Sequence, residues 1–314
     1  GLFFRLSNWN SGLKTYYYDA ERQQVLLTNM RPSSPFESPK NLMVEEVLVA
    51  SHDGEEVPLS IIYNKRVAKD GTNPTLLKAY GAYGESLEPY MELEMLAWYK
   101  KGGVLAVAHV RGGGEKGAAW HKAGQKGQKV NSWKDVIACA EYLTEKNYTS
   151  PNKLAAYSVS AGGLAVGKAM IERPELFKAV VLDYALLNPT RLDQSPNGLA
   201  QAEEFGSPRD SVEFANLLEM DPYLSFESST NKDVPAVLLT AGRKDQRTLL
   251  WEPAKMAAIL TDLRDNNHPT LLRVYDGGHG VNASEETLTT IADRMAFLLW
   301  QLSDTELVRQ SEGE

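Results

Sequence analysis

The sequence holds a single cysteine, Cys139, so no internal disulfide can form. That fits a reducing compartment, and a cytoplasmic location is the expectation. With five histidines and one cysteine, no spacing resembles a zinc site, and neither a metal nor a cofactor is expected. Net positive charge is also lacking. The formal charge is −8, so the chain gains no counterion release from a phosphate backbone, and nucleic acid is excluded as a partner class. No run approaches the roughly 18 apolar residues of a membrane helix, which excludes a membrane span. There is no leader-peptide pattern. The chain opens on Gly1 and reads at once as short aromatic strands, FFRLSNW and TYYYDA, so it is expected to begin inside a larger protein.

What is present is a core-forming composition. The 314 residues are 43% hydrophobic and 24% charged, enough for one large α/β domain or two smaller ones. Residues 1–42 hold strand-like pieces and a Pro/Ser-rich linker, RPSSPFESPKN, which signals a domain boundary. EEVLVAS and VPLSIIYN flank HDGEE and read as a β-hairpin. From there strands alternate with helices. TLLKAY, GVLAVAHV, KLAAYSV, AVVLDYAL, AVLLTAG and TLLRVYD read as strands. LEPYMELEMLAWYKKG, SWKDVIACAEYLTEKN, SAGGLAVGKAMIERP, WEPAKMAAILTDLRDN and ETLTTIADRMAFLLWQL read as helices. Such alternation means a mostly parallel sheet with helices on both faces. With a hairpin feeding it, this is the outline of an α/β-hydrolase, expected over residues 43–314.

The stretch AAYSVSAGG (155–163) lies where one of these strands meets a helix. A residue at that turn projects above the sheet edge at a helix N-terminus, where free N–H groups favour negative charge. Ser160 occupies the turn, and the Ala161 N–H points at the oxyanion Ser160 would form. Ser158 is still in the strand and stands where the hydrolase turn G-x-S-x-G has its first glycine. The order expected of this fold is Ser, acid, His, each on a loop after a strand. Asp245 follows AVLLTAG, and His279 follows TLLRVYD on the glycine loop GGHG. Asp276, Asp233, His52, His109, His121 and His268 fit that order less well and read as structural or solvated. RGGGE lacks the GK[ST] ending of a phosphate loop and reads as a tight packing loop. Cys139 lies on the apolar side of a helix and reads as core.

YGAYG (80–84), HVRGGGEKGAAWHKAG (109–124), YTSPNKL (148–154), S-x-S-A-G-G with RPELF (173–177), and WEPAK (251–255) together resemble the catalytic domain of the prolyl oligopeptidase family. The resemblance runs from about residue 45 to about residue 300. GRKDQRTLLWEPAK leans toward its oligopeptidase B branch. The resemblance implies Ser160 as nucleophile, Asp245 as acid and His279 as base. It implies Tyr80, with the Ala161 N–H, as the oxyanion hole, and Arg247 as the holder of a substrate carbonyl. It further implies that residues 1–42 are terminal strands of a β-propeller plus a linker, with the rest of the propeller in the same protein or in a separate chain. In GLAQAEEFG, Gln201 stands where the family has a stacking tryptophan or a glutamate. Gln201, Glu203 and Glu204 are therefore expected to line the substrate pocket. A core role for Tyr80 and a solvated role for Arg247, Glu203 and Glu204 remain the alternatives.

The leading expectation is a serine peptidase acting on short peptides, cutting after basic or polar residues. An esterase or thioesterase could use the same triad. A non-catalytic interaction module with this fold is the third reading, and the complete Ser160, Asp245 and His279 set argues against it.

Overall fold

The computed structural model describes residues 1–30, 36, 39–265, 267–280 and 284–303. Most of the linker RPSSPFESPKN lies outside the described residues. Two sheets form. The first is a three-stranded antiparallel sheet of β1 (Leu2–Asn8), β2 (Ser11–Asp19) and β3 (Gln24–Leu27). The second has eight strands: β4 (Leu42–Ala50), β5 (Glu56–Asn64), β6 (Thr75–Ala79), β7 (Val104–Ala108), β8 (Leu154–Val159), β9 (Ala179–Asp183), β10 (Ala236–Gly242) and β11 (Thr270–Tyr275). Their order is β11-β10-β9-β8-β6-β7-β5-β4. β4 and β5 form the expected hairpin, with Leu42 opposite Asn64. β5 joins β7 antiparallel, and all pairs from β7 to β11 are parallel.

The parallel strands read as unbroken apolar runs because both of their faces are covered. Every residue of β7, β9 and β10 is buried. One face packs on α3 (Val130–Glu145), α4 (Gly163–Glu172) and α8 (Trp251–Leu263), through Trp133, Val136, Leu164, Met170, Met256 and Leu260. Cys139 lies in this core. The other face packs on α1 (Met95–Lys100) and α9 (Ser284–Leu302), through Met95, Trp98, Phe297 and Leu298. This is an α/β-hydrolase, as the alternating pattern implies. Among the described residues, no helix is long and apolar enough to cross a membrane.

Two regions depart from the expected elements. Of LEPYMELEMLAWYKKG, only Met95–Lys100 is α-helical. Its first half is an irregular strap with backbone bonds to other parts of the chain: the Leu87 N–H donates to Glu115 Oε1 at 2.9 Å, and the Pro89 carbonyl accepts from Ser7 Oγ at 2.8 Å. Residues between β9 and β10 form three short helices: α5 (Gly198–Phe205), α6 (Ser211–Met220) and α7 (Pro222–Ser228). Asp210 and Asp221 cap α6 and α7 by accepting backbone N–H bonds. α2 (Ala118–Lys122) is a further short helix.

The small sheet is fastened to the large domain by Trp9. Its ring is buried in the α1/α9 core, and its Nε1 donates to Glu46 Oε1 at 3.1 Å. The small sheet's Leu2, Phe3, Leu6, Val25 and Leu27 are exposed.

Candidate active site

The parallel strands all end at one edge of the sheet, where α/β folds bind ligands. Tyr80 follows β6, Ser160 follows β8, Asp245 follows β10 and His279 follows β11. One cavity of about 730 Å³ collects Tyr80, Ser160, Ala161, Gln201, Arg247 and His279 on its wall.

Ser160 has φ of 55°, left-handed for a side chain with a Cβ. The following residues coil at once through Ala161 and Gly162 into α4. This tight reversal lifts the hydroxyl above the sheet edge, and such backbone strain marks functional turns. Gly162 is required: a Cβ there would stand 2.1 Å from Ser158 Oγ and 3.0 Å from the Tyr80 backbone. Ser158 is buried and donates to the Ala79 carbonyl at 2.8 Å. Its side chain thus ties β8 to Ala79, the residue before Tyr80.

His279 Nε2 lies 2.9 Å from Ser160 Oγ, and His279 Nδ1 lies 2.7 Å from Asp245 Oδ2. Asp245 is buried, and its Oδ1 accepts the N–H groups of Arg247 at 2.8 Å and Thr248 at 3.1 Å. Burial pushes its pKa up, but the bonds from His279 and from these N–H groups outweigh this and hold it below the usual carboxylate range. Thr248 was not anticipated. Its hydroxyl donates to the Tyr184 carbonyl at 2.7 Å and sits 3.0 Å from His279 Nδ1 and 3.1 Å from Asp245 Oδ2.

Tyr80 opens a turn that rests on the RGGGE loop. A Cβ at Gly112 would stand 2.1 Å from the Gly81 carbonyl, and one at Gly114 would stand 2.1 Å from the Gly84 carbonyl. Between loop and sheet, Arg111 is buried and paired with Asp135 at 2.6 Å. The fully buried ammonium of Lys129 donates to the Gly81 carbonyl, and burial pushes its pKa down to about 8. Burial, and then the charges of Glu85 and Glu204, push the Tyr80 hydroxyl up to about 12 against a hydrogen bond with Ser160. Tyr80 therefore remains a proton donor at neutral pH.

The three residues expected on α5 separate. Gln201 lines the cavity, with its Nε2 donating to the Arg247 carbonyl at 3.2 Å. Its Oε1 is buried with no hydrogen-bond partner among the described residues. Glu203 is exposed and lies outside the cavity wall. Glu204 also lies outside it, for a different reason. It is buried, accepts the Tyr83 N–H at 2.8 Å and lies 2.7 Å from His121 Nε2. The expectation that these two carboxylates face substrate is corrected: helix rotation turns Glu203 to solvent, and the oxyanion turn takes up Glu204. His121, read as structural or solvated, is the partner of Glu204. Arg247 is exposed on the cavity wall, with no ion-pair partner among the described residues.

A buried acid behind the site was also missed. Glu252 Oε2 accepts the N–H groups of Leu187 at 3.1 Å and Asn188 at 3.3 Å. The same loop donates the Leu186 N–H to the Ser160 carbonyl at 2.9 Å. Burial pushes the Glu252 pKa up to about 8, against the two N–H bonds. A raised folded-state pKa contributes stability that is present below the unfolded value near 4.5 and lost as pH rises through about 8. Glu252→Gln imitates the protonated form. It should leave the melting temperature little changed at about pH 5 and raise it over the parent by roughly 5 °C at about pH 9. Melting curves at the two pH values check this; an equal offset at both would remove the buried-acid account.

The sequence pattern of the prolyl oligopeptidase family matches residues 89–305. The prolyl endopeptidase of Elizabethkingia meningoseptica is 34% identical over 268 residues, covering 84% of this chain and 38% of that protein. Dipeptidyl aminopeptidase BI of Pseudoxanthomonas mexicana is 32% identical over 288 residues, covering 90% of this chain and 39% of that protein. The structure of oligopeptidase B from Trypanosoma brucei with covalently bound antipain matches with a TM-score of 0.90 at 30% identity, over 98% of this chain and 44% of that one. The chain spans about two fifths of the length of the curated relatives it matches. With the hydrolase fold, the family pattern and these identities in agreement, the chain belongs to the prolyl oligopeptidase family.

Proposed function

We propose that this chain is the catalytic part of a serine peptidase that hydrolyses short peptides through an acyl-enzyme on Ser160. One observation carries the reading: a strained strand-to-helix serine whose Oγ lies 2.9 Å from an imidazole that is itself held by a buried carboxylate. His279 Nε2 takes the Ser160 proton as Oγ attacks the scissile carbonyl. Asp245 holds the proton on Nδ1 and stabilises the imidazolium. The Tyr80 hydroxyl and the Ala161 N–H bind the oxyanion. The imidazolium then protonates the leaving amine, and water repeats the sequence to release the acid.

Tyr80→Phe removes one of the two oxyanion donors. It should lower kcat by about 10²–10³-fold, with KM little changed. Steady-state kinetics check this, and a kcat within a few-fold of the parent would return Tyr80 to a packing role.

The cavity suggests a residue preference. Beside His279 its aromatic members are Tyr80 and Tyr83, and among the described residues no tryptophan stands on the wall to stack on a proline ring. Gln201 offers an amide in place of that ring, which suits a polar or basic residue before the cut. Residues 1–42 fit as terminal strands of a β-propeller plus linker, with the catalytic domain over 43–314. The exposed apolar side chains of β1 and β3 are what strands awaiting partners would present.

The test is fluorophosphonate labelling followed by matched chromogenic peptides ending in Arg, Lys, Gln, Phe and Pro, with the corresponding esters alongside. Labelling with peptide turnover supports the reading. Turnover of esters alone would make the chain an esterase. No labelling would make it a non-catalytic member of its fold.

A further inference from the structure

Glu85 stands on the cavity wall with Ser160 and Tyr80. It is exposed, and its carboxylate has no hydrogen-bond or ion-pair partner among the described residues. The other carboxylates around the site are engaged or turned away. Asp245 binds His279, Glu204 binds Tyr83 N and His121, and Glu115 binds Leu87 N and lies 3.3 Å from His109. Glu203 is outside the wall. Glu85 is therefore the one carboxylate on the described wall that is left for a ligand.

Its position is also fixed. The segment 84–87 that carries it is tied by Gly84 N to the Gly112 carbonyl at 3.0 Å, by Glu85 N to the Ala82 carbonyl at 3.1 Å, and by Leu87 N to Glu115 at 2.9 Å. A charge on so restrained a backbone loses less on binding than one on a free loop. Glu85, Tyr80 and Ser160 line the same cavity, so the carboxylate faces the space a bound peptide would fill. Arg247 stands on the same wall, with no ion-pair partner, Glu85 included, among the described residues.

We infer that Glu85 is a specificity-determining residue that selects a protonated group of the peptide, either a basic side chain or a free amino terminus. The inference rests on the peptidase reading and deepens it, because it moves the source of a basic preference from α5 to the turn after β6. The carboxylate accepts charge-assisted bonds from an ammonium or guanidinium, and a neutral isostere of equal size forfeits that charge.

The test uses the 314-residue chain and the ratio of kcat/KM values within each protein, so that effects on the oxyanion hole cancel. One series compares Arg with citrulline and Lys with norleucine, all with blocked amino termini. The other compares free with acetylated amino termini on one neutral peptide. In one of the two series Glu85→Gln should lower the cationic-to-neutral ratio about fivefold, and Glu85→Lys should bring it below unity. The series that responds identifies which cationic group is read. Fluorophosphonate labelling certifies that each variant is folded, and Glu85→Asp should restore part of the ratio. Ratios in both series that ignore the charge at position 85, in proteins that still label and turn over, would overturn the inference while leaving the peptidase reading intact. Failure of the parent chain to label would fail that reading first.

Discussion

Ser160→Ala is expected to abolish fluorophosphonate labelling and to lower peptide turnover by roughly 10⁵–10⁶-fold, whereas Ser158→Ala keeps both. The two serines are separated by one residue and by a change of backbone. Ser160 has left the strand and meets His279 Nε2, so its proton has somewhere to go. Ser158 is still in β8, and its proton is committed to the Ala79 carbonyl. Removing it leaves a buried carbonyl unpaired, which costs about 1–3 kcal/mol of stability without touching the reacting atoms. Labelling, turnover and a melting curve on both variants separate the roles. Labelling that survives Ser160→Ala and is lost in Ser158→Ala would reverse the assignment.

The parallel part of the sheet was legible because strands covered on both faces must be apolar throughout, and helices between them must be amphipathic. Ser160, Asp245 and His279 could be singled out for a related reason. Each follows a strand, and parallel strands bring such positions to one edge. What the sequence could not convey was set by contacts distant in the chain. Two adjacent glutamates on α5 look alike in one dimension. Which of them turns inward depends on the helix phase, and the inward one is met by a backbone N–H from position 83. The strap at 87–94 has helical spacing of apolar residues, yet Glu115 and Ser7 bond to its backbone at Leu87 and Pro89, and it stays irregular. Lys129, Glu252 and Thr248 carry no local sign of burial. Each is polar or charged at a buried position, and only the partners supplied by other elements explain them. Glu85 has no sequence signal of its own: an exposed glutamate beside a glycine-rich turn looks like any solvated charge.

Asp245→Asn is expected to lower kcat by about 10⁴-fold with the fold intact, because it reverses the proton on His279. The reason lies in how the carboxylate is held. Asp245 Oδ1 accepts two backbone N–H groups, from Arg247 and Thr248. In the amide, only the oxygen can take that place, so the amino group is forced to the position of Oδ2, facing His279 Nδ1. The Thr248 hydroxyl does not relieve this: its proton is directed at the Tyr184 carbonyl, leaving its oxygen free to accept from the new amide. With a donor facing Nδ1, the neutral imidazole carries its proton on Nε2, pointing at Ser160 Oγ, and cannot act as the base. The pH dependence should change with the rate. The parent carboxylate is held below the usual range, so it stays ionised down to acidic pH and keeps the productive tautomer across the neutral range. In the variant no such anion remains to stabilise the imidazolium. Single-turnover acylation and fluorophosphonate labelling rates should fall together, since both require His279 to accept the serine proton. A loss of only a few-fold in both would show that another carboxylate serves His279, and Asp245 would revert to a structural cap of its own loop.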